Sequence, residues 1–388
     1  MRTVHRSVAK PRPVPLFPSF GLVLLLVSPM LANQPAPAPP VLAVPTDSAS
    51  SGKPSPAAIS ESSNPALGYW RAWSMTDAVR REALTSVAPA SLKEPPQEKA
   101  VNAAADLAEV ADMLIRASRK PDADWGVEYT RGVAALLPEL GLIRFSTRLL
   151  RTTAAAALHD PKPDVRRAGE CTVATLRMAR HAAAPKLLIA SLVSAAVASA
   201  ACEDASNLAA LNRLDQTSRD EILVELRALQ APDALKFRAA ITGGERDLLR
   251  WMTDAVQAER ADPKGVMLAL GALTSAKNAA PLSKVLSTEA LASDLKKQTL
   301  LFDALADAWP VGDGAARLEA IEKRTAAGEF GIFANAFGPA VSRAKASELK
   351  ALATIAQTIK TLESYTPPKD LPPPRPAKSL LEELGTAR

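Results

Sequence analysis

Through the middle of the chain, apolar side chains return every three or four residues. Over 97–118, Val101, Ala104, Ala108, Ala111, Leu114 and Ile115 fall on one stripe, which predicts a single amphipathic helix. Over 346–364, Leu349, Leu352, Ile355, Ile359 and Leu362 do the same, with Lys350, Gln357, Lys360 and Glu363 on the other faces. Pro185–Ala201 is apolar nearly all round. That pattern suits a central buried helix or a membrane span. Its small residues and an uncharged stretch of only about 15 residues, short of the roughly 20 a span requires, favour the buried helix.

Prolines mark where these helices begin. Asn64-Pro65, Glu94-Pro95-Pro96, Pro163-Asp164, Pro232-Asp233 and Asp262-Pro263 each predict a first turn, several beside a capping Asp or Asn. Ala makes up about one residue in five and Gly only 17 of 388, while strand-type runs of Val, Ile, Thr and Tyr are missing. The expectation is an all-α fold of a dozen to fifteen helices, arranged as an irregular α-solenoid or a stack of helical hairpins.

The ends differ from the middle. Arg2, Arg6, Lys10 and Arg12 precede the apolar run Phe20–Leu31 and the small Ala32, a pattern that predicts an export signal over 1–32. Most of the 32 prolines sit before residue 66 or after residue 365. The pattern predicts a Pro/Ser/Ala-rich linker at 33–63 and a Pro-rich tail at 366–388 ending in a short amphipathic turn. The helical domain spans 64–365, with a subdivision near 256–263. The net charge of +6 falls to +2 without the first 32 residues, too small a basic excess to favour a nucleic-acid partner.

Two stretches carry a resemblance. Asp160-Pro-Lys-Pro-Asp-Val-Arg-Arg-Ala168, between two helical runs, resembles the turn of a HEAT repeat, in which an Asp caps the second helix and Val faces the core. Tyr69-Trp70-Arg-Ala-Trp73, Asp124-Trp125-Gly126, Leu136-Leu-Pro-Glu-Leu140, Arg144, Met178-Ala-Arg-His181, Leu188–Val193 and Gly244-Glu-Arg246 follow in order. Together they resemble an uncharacterised family of exported, all-helical bacterial proteins with HEAT- or TPR-like hairpins. The resemblance implies fold and export and names no reaction.

Candidate chemistry is sparse. His159 and His181 stand near helix ends, where an imidazole can cap free carbonyls. Asp122-Ala-Asp124-Trp125-Gly126 departs from a calcium loop because Gly126 falls at position 5, so Asp124 reads as a cap and Trp125 as a packing anchor. Cys171 and Cys202, if on a hairpin turning near Ala184, are offset by about 7 Å along the axis, which disfavours a bridge. Seven arginines, Arg144, Arg148, Arg151, Arg166, Arg167, Arg177 and Arg180, concentrate on one hairpin, which reads as a solvated face with glutamate neighbours or, more sharply, as a groove for an acidic peptide or anionic glycan. No metal or cofactor is expected. The leading expectation is an exported, non-catalytic scaffold that binds a protein or envelope component through a surface including Trp125, Arg144, Arg148 and His181. The alternatives are a hydrolase or lyase whose carboxylates meet only in the fold, and a helical protein whose membrane contact is a retained N-terminal segment.

Overall fold

The computed structural model describes residues 63–86, 91–127, 137–244, 246–247, 288–309 and 314–368. The expected signal, most of the linker and tail, and the subdivision near 256–263 lie outside these residues. All regular structure among them is helical. The helices are α1 Pro65–Ser74, α2 Ala78–Thr85, α3 Glu98–Asp106, α4 Ala108–Ser118, α5 Pro138–His159, α6 Val165–Ala182, α7 Leu188–Ala210 and α8 Gln216–Leu229. A short α9, Phe237–Ala239, runs into a π-turn over Ala240–Gly244, and α10 Thr288–Ala308, α11 Gly314–Ala326 and α12 Ile332–Ser364 complete the set.

Asn64-Pro65 and Pro163-Asp164 start helices as the sequence predicts, Pro95-Pro96 stand just before α3, which begins at Glu98 without a side-chain cap, and Asp262-Pro263 lies outside the described residues. Asn64 accepts from the Ala66 amide at 3.0 Å with Pro65 in the first position of α1. Asp77, Asp164 and Asp215 cap α2, α6 and α8 by accepting from Arg80, Arg167 and Ser218 amides. Pro232-Asp233 departs from the pattern. Asp233 adopts a positive φ of 55°, and its carboxylate reaches forward to the Arg238 and Ala239 amides, so α9 begins four residues later than expected.

α5, α6 and α7 form two successive antiparallel hairpins, with α4 and α8 flanking α6. The Asp160–Asp164 turn puts Val165 into the core, 3 % exposed. In an open solenoid each unit touches only its sequence neighbours. Here α12 returns from more than a hundred residues downstream to cover α7, and it packs against α8 as well, so the hairpins close into a bundle.

α7 is the one helix among the described residues long and apolar enough to cross a membrane, yet over half of it is buried. Its Ala190, Ser191, Ser194, Ala198, Ala201 and Ala205 admit neighbours closely, and Ser194 donates across to the Ala179 carbonyl at 2.7 Å. A similar approach occurs where Gly169 of α6 meets α8. A methyl group there would lie 2.1 Å from Ser218 Oγ.

Two stripes need correction. The single helix expected over 97–118 breaks at Leu107, which is itself buried. Both segments touch α5, but α3 also packs on α2, whereas α4 packs mainly on α1 and α6; one straight axis would not serve both sets of neighbours. On α12, Leu349 is 50 % exposed, and the buried line runs through Ala344, Glu348, Ala351, Ile355 and Leu362. Glu348 can occupy that line because Lys345 Nζ meets it at 2.7 Å.

Candidate functional site

His181 and Trp125, expected on an interaction surface, are interior. His181 is 1 % exposed. Its Nδ1 lies 2.8 Å from the Tyr69 hydroxyl and its Nε2 3.3 Å from the Pro121 carbonyl. A carbonyl only accepts, so Nε2 carries the proton and Nδ1 accepts from Tyr69. The ring therefore ties α6 to α1 and to the loop after α4, and the expected capping of α6 by this side chain does not occur. The carbonyl of His181, which also accepts the Ala184 amide at 3.2 Å, takes the Trp125 indole N–H at 2.7 Å. Trp125 stacks on Tyr69 with centroids 5.6 Å apart. Burial, then the charge of Arg180, holds His181 down at about 4, and burial raises the Tyr69 hydroxyl. His159 likewise bonds outward, with Nε2 at 3.2 Å from the Leu92 carbonyl.

The loop that resembled a calcium site holds itself together. Asp124 accepts from the Gly126 amide at 2.9 Å, and its backbone is clasped by Asn64 through two hydrogen bonds. Gly126 takes a φ of +65°, which a residue without Cβ adopts at no cost. No group of three metal-ligating side chains occurs among the described residues.

The seven arginines divide into two sets. Five are matched by carboxylates. Arg151 grips Asp204 with Nε and Nη2 at 2.8 and 2.9 Å and also meets Glu203. Arg166 meets Glu170, Asp215 and Glu221; Arg167 meets Asp112; Arg177 and Arg180 share Glu225. These pairs form polar seams between α6 and α8, α6 and α4, and α5 and α7, and they neutralise most of the expected groove.

Arg144 and Arg148 are the remainder. Arg144 is exposed and pairs with no carboxylate among the described residues. Arg148 donates to the Thr85 carbonyl at the end of α2, and burial followed by repulsion from Arg144 lowers its pKa. One turn before Thr85, Arg81 lies over the Trp73 ring at 4.3 Å and spends its donors on Thr76. Trp73 in turn meets Phe145 of α5 edge-on at 5.4 Å. Three guanidiniums thus gather where α1, α2 and α5 meet. Of the carboxylates at α2, Asp77 is engaged by Arg80 and Glu82 accepts from Thr85. Sequence spacing pointed to Arg144 and Arg148 but not to Arg81 or Trp73, which come from α2 and α1.

Two buried carboxyls also escaped sequence reasoning. Burial pushes Glu139, 2 % exposed at the start of α5, up to about 7, and its Oε1 has no partner. Burial likewise pushes Asp204 up to about 6 against the pull of Arg151. Twelve residues of α5 separate Glu139 from the arginine that holds Asp204, about 18 Å of helix, so the two do not converge on one reacting atom. Cys171 and Cys202 are free and buried, and burial raises both thiols to about 12. A cavity of about 10 Å³ among Leu301, Leu305, Leu318 and Ile321 has room for one water.

The chain matches no protein-family model, no curated protein and no solved structure.

Proposed function

We propose that this protein is an exported, non-catalytic helical scaffold of the cell envelope that docks an acidic partner at the corner where α1, α2 and α5 meet. One observation carries the reading. Five of the hairpin's seven arginines are neutralised by carboxylates, while Arg144 and Arg148, joined by Arg81, are not. A guanidinium presented without a partner offers a planar fork of donors to a carboxylate. The basic, apolar, small-residue order of residues 1–32 supports export, as does the resemblance to exported helical proteins with HEAT-like hairpins. The separation of Glu139 from Asp204 weighs against a paired-carboxylate hydrolase.

The test compares wild-type protein with Arg144→Ala and Arg144→Ala/Arg148→Ala variants as bait in envelope extract, with the captured protein identified and then bound as a purified partner. Docking at this corner requires affinity to fall in both variants and to weaken with added salt. Unchanged affinity in the double variant removes the proposal.

A further inference from the structure

The arginine corner continues into an apolar stripe. Leu67, Trp70 and Trp73 stand at successive i, i+3 positions of α1, and Leu67 is 55 % exposed while both tryptophans are only half-buried. Each step of three turns back around the helix, so the line slants from exposed Leu67 toward Trp70 and Trp73, whose rings pack partly against the core and show only their remaining surface. The stripe ends at Trp73, where Arg81 covers the ring and Phe145 meets its edge. Arg148 and Arg144 follow on α5.

The state of each guanidinium limits what can bind. Arg81 lies over Trp73 and bonds to Thr76, and Arg148 bonds to the Thr85 carbonyl. Only Arg144 presents its full fork to solvent. A phosphate or sulfate cluster is best met by several free forks converging on one anion, and this corner supplies one fork with two partly engaged charges beside it. Such an arrangement fits scattered carboxylates next to apolar side chains.

We infer that the ligand of this corner is an amphipathic acidic peptide segment of another protein. Its apolar residues lie along Leu67, Trp70 and Trp73, and its carboxylates face Arg81, Arg148 and Arg144. This rests on the proposed docking function and specifies its partner. The mode is that of an amphipathic helix laid on an exposed apolar edge, with charge fixing its direction.

The probe is a labelled synthetic peptide of Leu and Glu, patterned with Leu at i, i+3, i+4 and i+7, measured by fluorescence anisotropy against the full-length protein. The controls are the same composition scrambled and a labelled heparin oligosaccharide. The expected result is that the patterned peptide binds at least about tenfold more tightly than the scrambled one. Arg144→Glu then weakens it about tenfold or more, and Leu67→Ser weakens it about threefold. Both altered side chains are exposed, and circular dichroism confirms that the variants are folded. Equal binding of patterned and scrambled peptides, no effect of Leu67→Ser, or no peptide binding overturns the inference. If heparin alone binds and Arg144→Glu abolishes it, the acidic-partner reading survives and the peptide assignment fails. If Arg144→Glu changes nothing for any probe, both fall.

Discussion

Acidification should strain this fold at His181 in a way that one substitution can isolate. The imidazole accepts from Tyr69, donates to the Pro121 carbonyl and has almost no contact with water. Burial first, and Arg180 second, lower it from its ordinary 6.5 to about 4, with Asp122 acting weakly in the opposite sense. The neutral ring is therefore favoured in the folded state. Its contribution is complete above about pH 6.5 and is lost as pH falls toward 4, because the unfolded chain takes up the proton first. The full span of two and a half pH units corresponds to about 3 kcal/mol, of which about 2 kcal/mol is gone by pH 5. His181→Gln keeps a donor and an acceptor but cannot titrate. It should cost stability at pH 7 by disturbing the Tyr69 contact. Urea unfolding of both proteins at pH 7 and pH 5 measures the gap at each pH. The gap should narrow by about 2 kcal/mol at pH 5. A gap of equal size at the two pH values would refute the reasoning, since the ring would then be titrating alike in both states.

Glu139→Gln should act with the opposite sign. Its carboxyl is raised to about 7, so the wild-type fold loses stability as pH climbs from about 4.5 through 7. The variant should gain about 1–2 kcal/mol at pH 8, allowing for screening, and almost nothing at pH 5 in thermal melts; a loss at pH 8 would contradict this. Asp204→Ala leaves Arg151 buried without its bidentate partner and should cost about 3–5 kcal/mol, while the Arg151→Ala/Asp204→Ala double variant should cost less than the sum of the singles. Gly169→Ala ordinarily strengthens a helix, but here the methyl would strike Ser218, so a loss of about 1–3 kcal/mol is expected, recovered on adding Ser218→Gly. A thiol reagent should find both cysteines in denaturant and neither in the native protein; a missing thiol in denaturant would show a bridge.

Helix content was readable from the chain because period and punctuation agree with what burial selects. Asn64-Pro65 and Asp164-Val165 start α1 and α6 as their spacing predicts. The buried character of α7 followed from small residues on every face. What could not be read was which neighbour each face meets. Leu349 satisfies the α12 stripe as well as Ala351 does, and the pairing of Glu348 with Lys345, which itself reaches the Trp309 carbonyl, is what lets Glu348 go in while Leu349 stays out. The candidate site was half legible for the same reason. Arg144 and Arg148 are four apart on one helix, so their proximity is local. Their isolation from carboxylates depends on Asp112, Asp204, Glu221 and Glu225, on other helices, choosing the other five arginines. His181 sits at a helix end in sequence, but Tyr69 lies 112 residues before it and draws the ring inward.

The pairing of α7 with α12 sets an order of events during synthesis. Ser206 on α7 approaches Thr358 on α12 across 152 positions. At roughly 5–20 residues per second, a ribosome that has finished α7 needs about 10–30 s more to make its cover. For that interval the most apolar described helix of the protein has α5, α6 and the π-turn over Ala240–Gly244 beside it but lacks α12. A polypeptide arranged in this way has a period of vulnerability written into its gene order, and chaperone dependence should concentrate there.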